Sequence, residues 1–357
     1  MGEGGQSIPV NLDLITAQWM TDALAASHPG AVVSEVKVVL RDDGTNRRAR
    51  LGLTYSAGSG PDTVFVKAVD PAHAELTAAT SGLFHEPRLF LSGMALPVDH
   101  PAVHLSLIDE PGQNFIMVME DLSARGADPR DSTRPLTPAQ AAAGMRALAR
   151  LHSTFWNTRL TERAALSWVE LYTPWPEEMD ELMAGVIPLA FDMAGDAVPG
   201  PVRAYRPMDL ILLWKSYVRT LATGPQTLLH GDAHIGNTYV LPGDDIGFLD
   251  WQMLRRGHWS LDVGYFLQGA VTTEDRRAHE AELIEVYRTS LDVPEEERPT
   301  AEQAWTSYRA STVYGLVLWL ATLTGSAWQR EDISLALTQR YADAFNDLDA
   351  PTAIPAP

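Results

Sequence analysis

The chain has 357 residues, a net charge of −19 and a pI near 4.8, a balance that argues against nucleic acid or an anionic membrane as the main partner. Hydrophobic residues make up 45% and charged residues 20%, the composition of a globular protein with a sizeable core; at roughly 100–200 residues per domain the length suits two domains or lobes. Cysteine is absent, which excludes a disulfide framework, thiolate chemistry and a Cys-based zinc site.

In chain order, no Lys or Arg precedes Lys37, so the basic start of a secretory signal is missing and a cytoplasmic protein is expected. A short helix pattern begins at Thr16. Residues 31–120 then read mainly as strands: "VVSEVKVVL", "RARLGLTYS", "DTVFVKAV", "AVHLSLID" and "NFIMVME" are rich in β-branched and aromatic residues and are separated by turn chemistry. One helical interruption, "HAELTAATSGLFHEPRLFLSG", falls between the third and fourth strands. From Thr137 the pattern turns helical, with Thr137 as N-cap, Pro138 at the first helical position and Gln140 completing a capping box. Further helical stretches cover roughly 176–222 and 274–347. The uncharged run from Ala310 to Gln329 reads as a buried helix rather than a membrane span. These patterns predict an α+β protein: an N-terminal lobe over 1–120 with five strands and a helix, a helical C-terminal lobe over 121–350, and a frayed tail over 351–357.

The stretch "LLHGDAHIGNTYVLPGDDIGFLDWQ", residues 228–252, concentrates polar and acidic groups beside apolar runs. Asp232 stands five residues before Asn237, the spacing of H-R-D-x-x-x-x-N in protein kinase catalytic loops. Between Asn237 and Asp250, "TYVL", "PGDD" and "IGFL" read as a β-hairpin that carries Asp250 back beside Asn237. Phosphoryl transfer needs a hard cation held by oxygen ligands, which Asn237 and Asp250 supply for Mg²⁺, and a base for the attacking hydroxyl, which Asp232 supplies.

Lysine occurs only at positions 37, 67 and 215. Lys67 lies inside the apolar third strand, where a charge demands an anionic partner. Kinase-type folds use such a lysine to hold nucleotide phosphates, oriented by a glutamate of the following helix. Glu86 is the expected partner, with Glu75 as the fallback, and Pro87 requires the helix to start or kink near it. "LRDDGTNRRARL" would be the phosphate-covering loop, with backbone donors at Gly44, Thr45 and Asn46. "FIMVMEDL" would lead into the second lobe, its main chain at Met119, Glu120, Asp121 and Leu122 meeting the adenine edge.

Taken in this order, Lys67, Glu86, "VMEDL" and "HGDAHIGN" followed by "LDWQ" resemble the aminoglycoside phosphotransferase/choline kinase superfamily of small-molecule kinases, over about residues 30–345. The resemblance implies a bilobal protein-kinase-like fold with ATP and Mg²⁺ as cofactors, GTP also being admissible. It implies Asp232 as catalytic base, Asn237 and Asp250 as metal ligands, Lys67 on the phosphates and Met119–Leu122 as hinge. His152 of "LARLH", His230, and Asp262 of "GHWSLDVGYF" would support the catalytic loop. The chain departs from the pattern in its single-glycine loop and in Pro87.

Three other readings compete. His230, Asp232 and His234 alternate, and on a strand would face one side as in a metallohydrolase. A nucleotide-binding pseudokinase would be expected to lack one of Lys67, Asp232, Asn237 or Asp250, and all are present. A protein kinase would need an A-P-E element and an activation loop, for which "WQMLRRGHWSLD" leaves little room. The partner is therefore expected to be a small molecule bearing a hydroxyl: an aminoglycoside, a macrolide, a choline-like alcohol, a sugar or a hydroxyacyl thioester. Nine of the ten Trp follow residue 150, read chiefly as core packing, and "TPWPEEMDELM" offers Glu177, Glu178, Asp180 and Glu181 to a cation. Oligomeric state is not legible.

Overall fold

A computed structural model describes residues 6–41, 44–74, 77–78, 82–325 and 329–355. The fallback Glu75, and Asp42 and Asp43 of the expected phosphate loop, lie outside the described residues. Contacts divide the chain into two compact units. One comprises Met1–Ala95 and His100–Ala127, the other Leu96–Asp99 and Asp128–Pro357.

The first unit is built on five antiparallel strands in the order β1-β2-β3-β5-β4, all at the positions the sequence pattern assigns. They are β1 Val32–Arg41, β2 Asn46–Ala57, β3 Thr63–Val69, β4 Val103–Asp109 and β5 Asn114–Glu120. Because side chains alternate along a strand, β3 and β5 divide their residues between two faces. Val64, Val66, Ala68, Ile116 and Val118 pack with Trp19, Met20, Ala23 and Leu24 of helix α1 (Ala17–Leu24). Val69, Phe115, Met117 and Met119 form the core of the other face with Leu83. Lys67 belongs by register to this second face, opposite Met117.

Helix α2, His85–Leu91, resolves the difficulty at Pro87: the helix starts at His85, so the proline falls in the first turn, where its missing N–H has no helical partner to lose.

The second unit is mainly helical: α3 Pro138–Thr154, α4 Asp180–Ala194, α5 Pro207–Thr220, α6 Ser260–Ala270, α7 Thr273–Ser290, α8 Ala301–Leu323 and α9 Glu331–Asp347. The capping box of α3 forms as expected, Thr137 Oγ1 accepting from Gln140 N–H at 3.3 Å while Gln140 Oε1 accepts from Thr137 N–H at 3.0 Å. Short strands complete it: β6 Asp128–Pro129, β7 Thr227–Leu229, β8 Thr238–Val240, β9 Ile246–Phe248 and β10 Arg255–Gly257. β6, β8 and β9 form one sheet, and β7 pairs antiparallel with β10.

Two features differ from the sequence reading. Helix α6 is buried on every side, so its sequence carries no amphipathic period to betray it. Residues 348–355 are held rather than frayed: Arg309 donates to the carbonyls of Leu348 and Asp349 and to Thr352 Oγ1, and Ile354 is buried. Residues 356–357 lie outside the described residues. The uncharged run lies in the buried part of α8 from Ala310 to Leu323, its residues 326–328 fall outside the described residues, and no described helix is long and apolar enough to cross a membrane.

Candidate active site

The loop after β7 is fixed by one buried acid. Asp262, in the first turn of α6, accepts from the N–H of His230 at 2.7 Å through Oδ2 and from the N–H of Gly231 at 2.9 Å through Oδ1. His152 Nε2 adds a third contact to Oδ2 at 3.2 Å, and its Nδ1 meets the Tyr287 hydroxyl at 2.8 Å. His152 and Asp262 are both fully buried, so these three contacts stand where water would otherwise meet the carboxylate. Gly231 is required at its position: its φ is +81, and a Cβ there would lie 2.0 Å from the carbonyl oxygen of Met253.

The buried His230 ties the loop to the strand that returns to it. Its Nδ1 accepts from Asp232 N–H at 3.2 Å and its Nε2–H donates to the Leu249 carbonyl at 3.0 Å. Both ring nitrogens are thus engaged, and His230, Asp232 and His234 sit on a loop rather than a strand. This corrects the metallohydrolase alternative: His230 has no lone pair left for a metal, and among the described residues no group of three His, Cys, Asp or Glu could hold one.

Asn237 Nδ2 donates to both the carbonyl and the Oδ2 of Asp232, each at 2.9 Å. The hairpin of β8 and β9 then brings the chain back, pairing Thr238 with Phe248, and Leu249 N–H donates to the Asn237 carbonyl at 3.0 Å. Asp250 follows directly, with φ +63, a left-handed conformation that costs a non-glycine residue about 1 kcal/mol or more. With Nδ2 committed to Asp232, the acceptor atom of Asn237 is Oδ1. An amide oxygen and a carboxylate are hard donors of the kind Mg²⁺ takes, and Mg²⁺ completes its shell with waters and phosphate oxygens rather than a cage of three acids.

Around Asp232 stand buried phenols. Burial first, with the Asp232 charge adding to it, pushes Tyr172 up to about 12 and holds Tyr265 and Tyr314 well above the ordinary tyrosine value. None of the three is available as a phenolate base at neutral pH. The Trp175 and Trp214 rings stack at 3.6 Å, and Trp156, Trp214, Trp251, Trp259 and Trp319 are buried, which gives them the core role expected. Of the acidic run, Glu177, Glu178 and Glu181 are exposed, whereas Asp180 pairs with the buried Lys215 at 2.5 Å.

In the first unit, Lys67 Nζ lies 2.6 Å from Glu86 Oε2, both side chains 4% exposed. Gly44 N–H donates to the Asn46 carbonyl at 3.0 Å, so this member of the expected phosphate-covering trio is engaged within its own turn. At the other end of the sheet, Glu120 N–H donates to the Ala102 carbonyl, and the Glu120 carboxylate pairs with Arg125 at 3.0 Å. Asp121 accepts from Thr63 Oγ1 at 2.7 Å and from Ser123, and pairs with Arg50 at 2.9 Å. Burial works to raise its pKa, but these bonds and the Arg50 charge outweigh it and hold the carboxyl below the usual range. Met119 lies in the paired end of β5, and Leu122 opens the single turn that Asp121 caps.

A model of the ecdysteroid kinase-like family matches residues 98–296, more than half of the chain. The chain belongs to the ecdysteroid kinase-like family. It is accordingly a small-molecule kinase, a phosphotransferase with a hydroxyl acceptor. The match covers His152, Asp232, Asn237, Asp250 and Asp262, and starts after Lys67 and Glu86. No curated protein sequence matches this kinase. Among solved structures it is similar to a spectinomycin phosphotransferase, APH(9)-Ia, in complex with ADP and spectinomycin, at 14% identity and a TM-score of 0.51 over 96% of this chain and 100% of that one. It is also similar to the choline kinase LicA from Streptococcus pneumoniae, at 12% identity and a TM-score of 0.49 over 92% and 98%, and to an ethanolamine kinase from Plasmodium vivax, at 14% and 0.49 over 89% and 83%. At such identities the likeness is one of fold, and the fold is the expected α+β, protein-kinase-like one.

Sequence reasoning gave His234 no role in the kinase reading. The structure puts its Nε2 3.8 Å from Asp232 Oδ2. The signal in the sequence was only its place two residues after the aspartate, which the competing metal reading claimed.

Proposed function

We propose that this kinase transfers the γ-phosphoryl group of ATP, as its Mg²⁺ complex, to a hydroxyl of a small molecule, with Asp232 as the base. The acceptor oxygen forms a bond to the γ-phosphorus, the bond from that phosphorus to the β,γ-bridging oxygen breaks, the hydroxyl proton passes to the Asp232 carboxylate, and ADP leaves. The observation that carries this reading is the coupling of Asp232 to Asn237 on a loop clamped by Asp262, with the strained Asp250 returned beside it.

In this reading Asn237 Oδ1 and the Asp250 carboxylate hold Mg²⁺, which when bound neutralises phosphate oxygens. Lys67, kept charged and oriented by Glu86, takes the phosphates of the nucleotide, and the chain at Met119–Leu122 follows its base. Asp232 orients the attacking hydroxyl; most of the acceleration comes from positioning and fixed charge. His152, His230 and Asp262 hold the loop and touch no reacting atom.

The test is a mass-shift screen. The protein is incubated with Mg·ATP or Mg·GTP and a pool of aminoglycosides, macrolides, amino alcohols, sugars and hydroxyacyl thioesters, beside the Asp232→Ala variant. A product heavier by one phosphoryl group is expected from wild type, with a rate about 10²–10⁴-fold lower in the variant. Equal rates from the two proteins would remove Asp232 from the role of base.

A further inference from the structure

His234 holds two positions at once. Its Nδ1 accepts from Gly236 N–H at 3.0 Å and so caps the single turn Ile235–Asn237. A ring whose Nδ1 lone pair is used in this way carries its proton on Nε2, and that atom lies 3.8 Å from Asp232 Oδ2. The ring stands edge-on between Tyr265, at 5.8 Å, and Trp319, at 5.2 Å. Gly236 permits this pose: a Cβ there would come within 2.6 Å of His234 Cε1.

We propose that His234 is a positioning residue for the proposed base: its Nε2–H and Asn237 Nδ2 converge on the same oxygen of Asp232 and fix the rotation of that carboxylate toward the acceptor hydroxyl. This rests on the reading of Asp232 as base. At 3.8 Å the contact is electrostatic. A movement of about 1 Å makes it a hydrogen bond, as contacts in ligand-free active sites do when the reacting complex closes.

The bland alternative is that His234 only caps the turn and fills space. Two substitutions separate the roles, since asparagine places a polar group near Nδ1 and glutamine places one near Nε2. Turnover is followed as ADP release with the pooled alcohols of the mass-shift screen at saturation and Mg·ATP varied. His234→Asn keeps the cap and lacks the reach, and is expected to lose about tenfold or more in kcat with KM for ATP and the thermal midpoint unchanged, the worth of one bond to a charged group. His234→Gln keeps the donor and is expected within about threefold of wild type in kcat, with a lower thermal midpoint from the lost cap. The reverse pattern, or equal losses that follow the thermal midpoint, overturns the proposal. Asp232→Asn is measured alongside. If it is inactive while the histidine variants fail the test, only the positioning role falls; if it turns over like wild type, the base and its positioning residue fall together.

Discussion

Glu86 and Asp262 are both buried carboxylates, one in each unit, yet their charges are balanced by different means. Glu86 is met by a full charge, Lys67, at 2.6 Å. Asp262 is met by two main-chain N–H groups and a histidine ring. The first arrangement fixes a side chain, the second fixes a loop. A direct ion pair leaves one charge stranded when either partner goes, whereas a carboxylate bound by several donors strands several polar groups when it goes.

Asp262→Ala should therefore have the largest effect. It orphans the N–H of His230, the N–H of Gly231 and the Nε2–H of His152, at about 1–3 kcal/mol each, a loss on the order of 6 kcal/mol against a typical domain stability of about 5–15 kcal/mol. Urea denaturation should show the midpoint fall steeply. Asp262→Asn, which keeps one acceptor for the loop, should fall less and still lose turnover, because Asp232 is then held by a looser loop. A midpoint unchanged in both variants would mean that the loop is ordered by something else.

Lys67→Met should come next, at about 3–5 kcal/mol, because it strands Glu86 in the core. The comparison is sharpened by the double variant Lys67→Met with Glu86→Leu, which removes the stranded charge and should recover most of the stability. Phosphoryl transfer should remain lost in both. Recovery of stability without activity assigns Lys67 to ligand binding; failure of the double variant to recover would show that the pair, and not the packing around it, holds helix α2.

The same contrast decides what was legible in the sequence. Strands β1–β5 announce themselves by alternation, helix α3 by its capping box and the β8–β9 hairpin by its turn, all within a few residues of chain. Even the Lys67–Glu86 pair can be guessed, since a lysine in an apolar strand demands an acid. Contacts closed by tertiary packing left no such trace. Asp262 reaches back 32 residues to His230, and α6 around it is buried all round and shows no period. Arg309 holds the chain end from 39 residues before Leu348, and nothing in "DLDAPTAIPAP" signals that anchor. Asp121 read as part of a main-chain hinge, but its side chain proves to bind Thr63, 58 residues earlier.

The smallest expected effect is pH-dependent and concerns the polar groups of the second unit that avoid charge altogether. Burial pushes His234 and His258 down to about 4, and each uses Nδ1 to accept a main-chain N–H, from Gly236 and from Ser260. Protonating Nδ1 breaks that bond as well as burying a charge. Between the ordinary value of 6.5 and 4, the unfolded chain binds protons at these rings and the folded chain does not. Unfolding therefore takes up protons, so stability is full above about pH 6.5 and falls as the pH drops through the window, by at most about 1.4 kcal/mol per pH unit for each ring. Urea midpoints at pH 7.5, 6 and 5 should decline in that order, while His258→Asn, which retains an acceptor near Nδ1 but does not titrate, should shallow the decline by the share of one ring. A midpoint constant from 7.5 to 5 would mean that both imidazoles titrate alike in the folded and unfolded chain, and the buried, uncharged ring beside Asp232 would have to be given up.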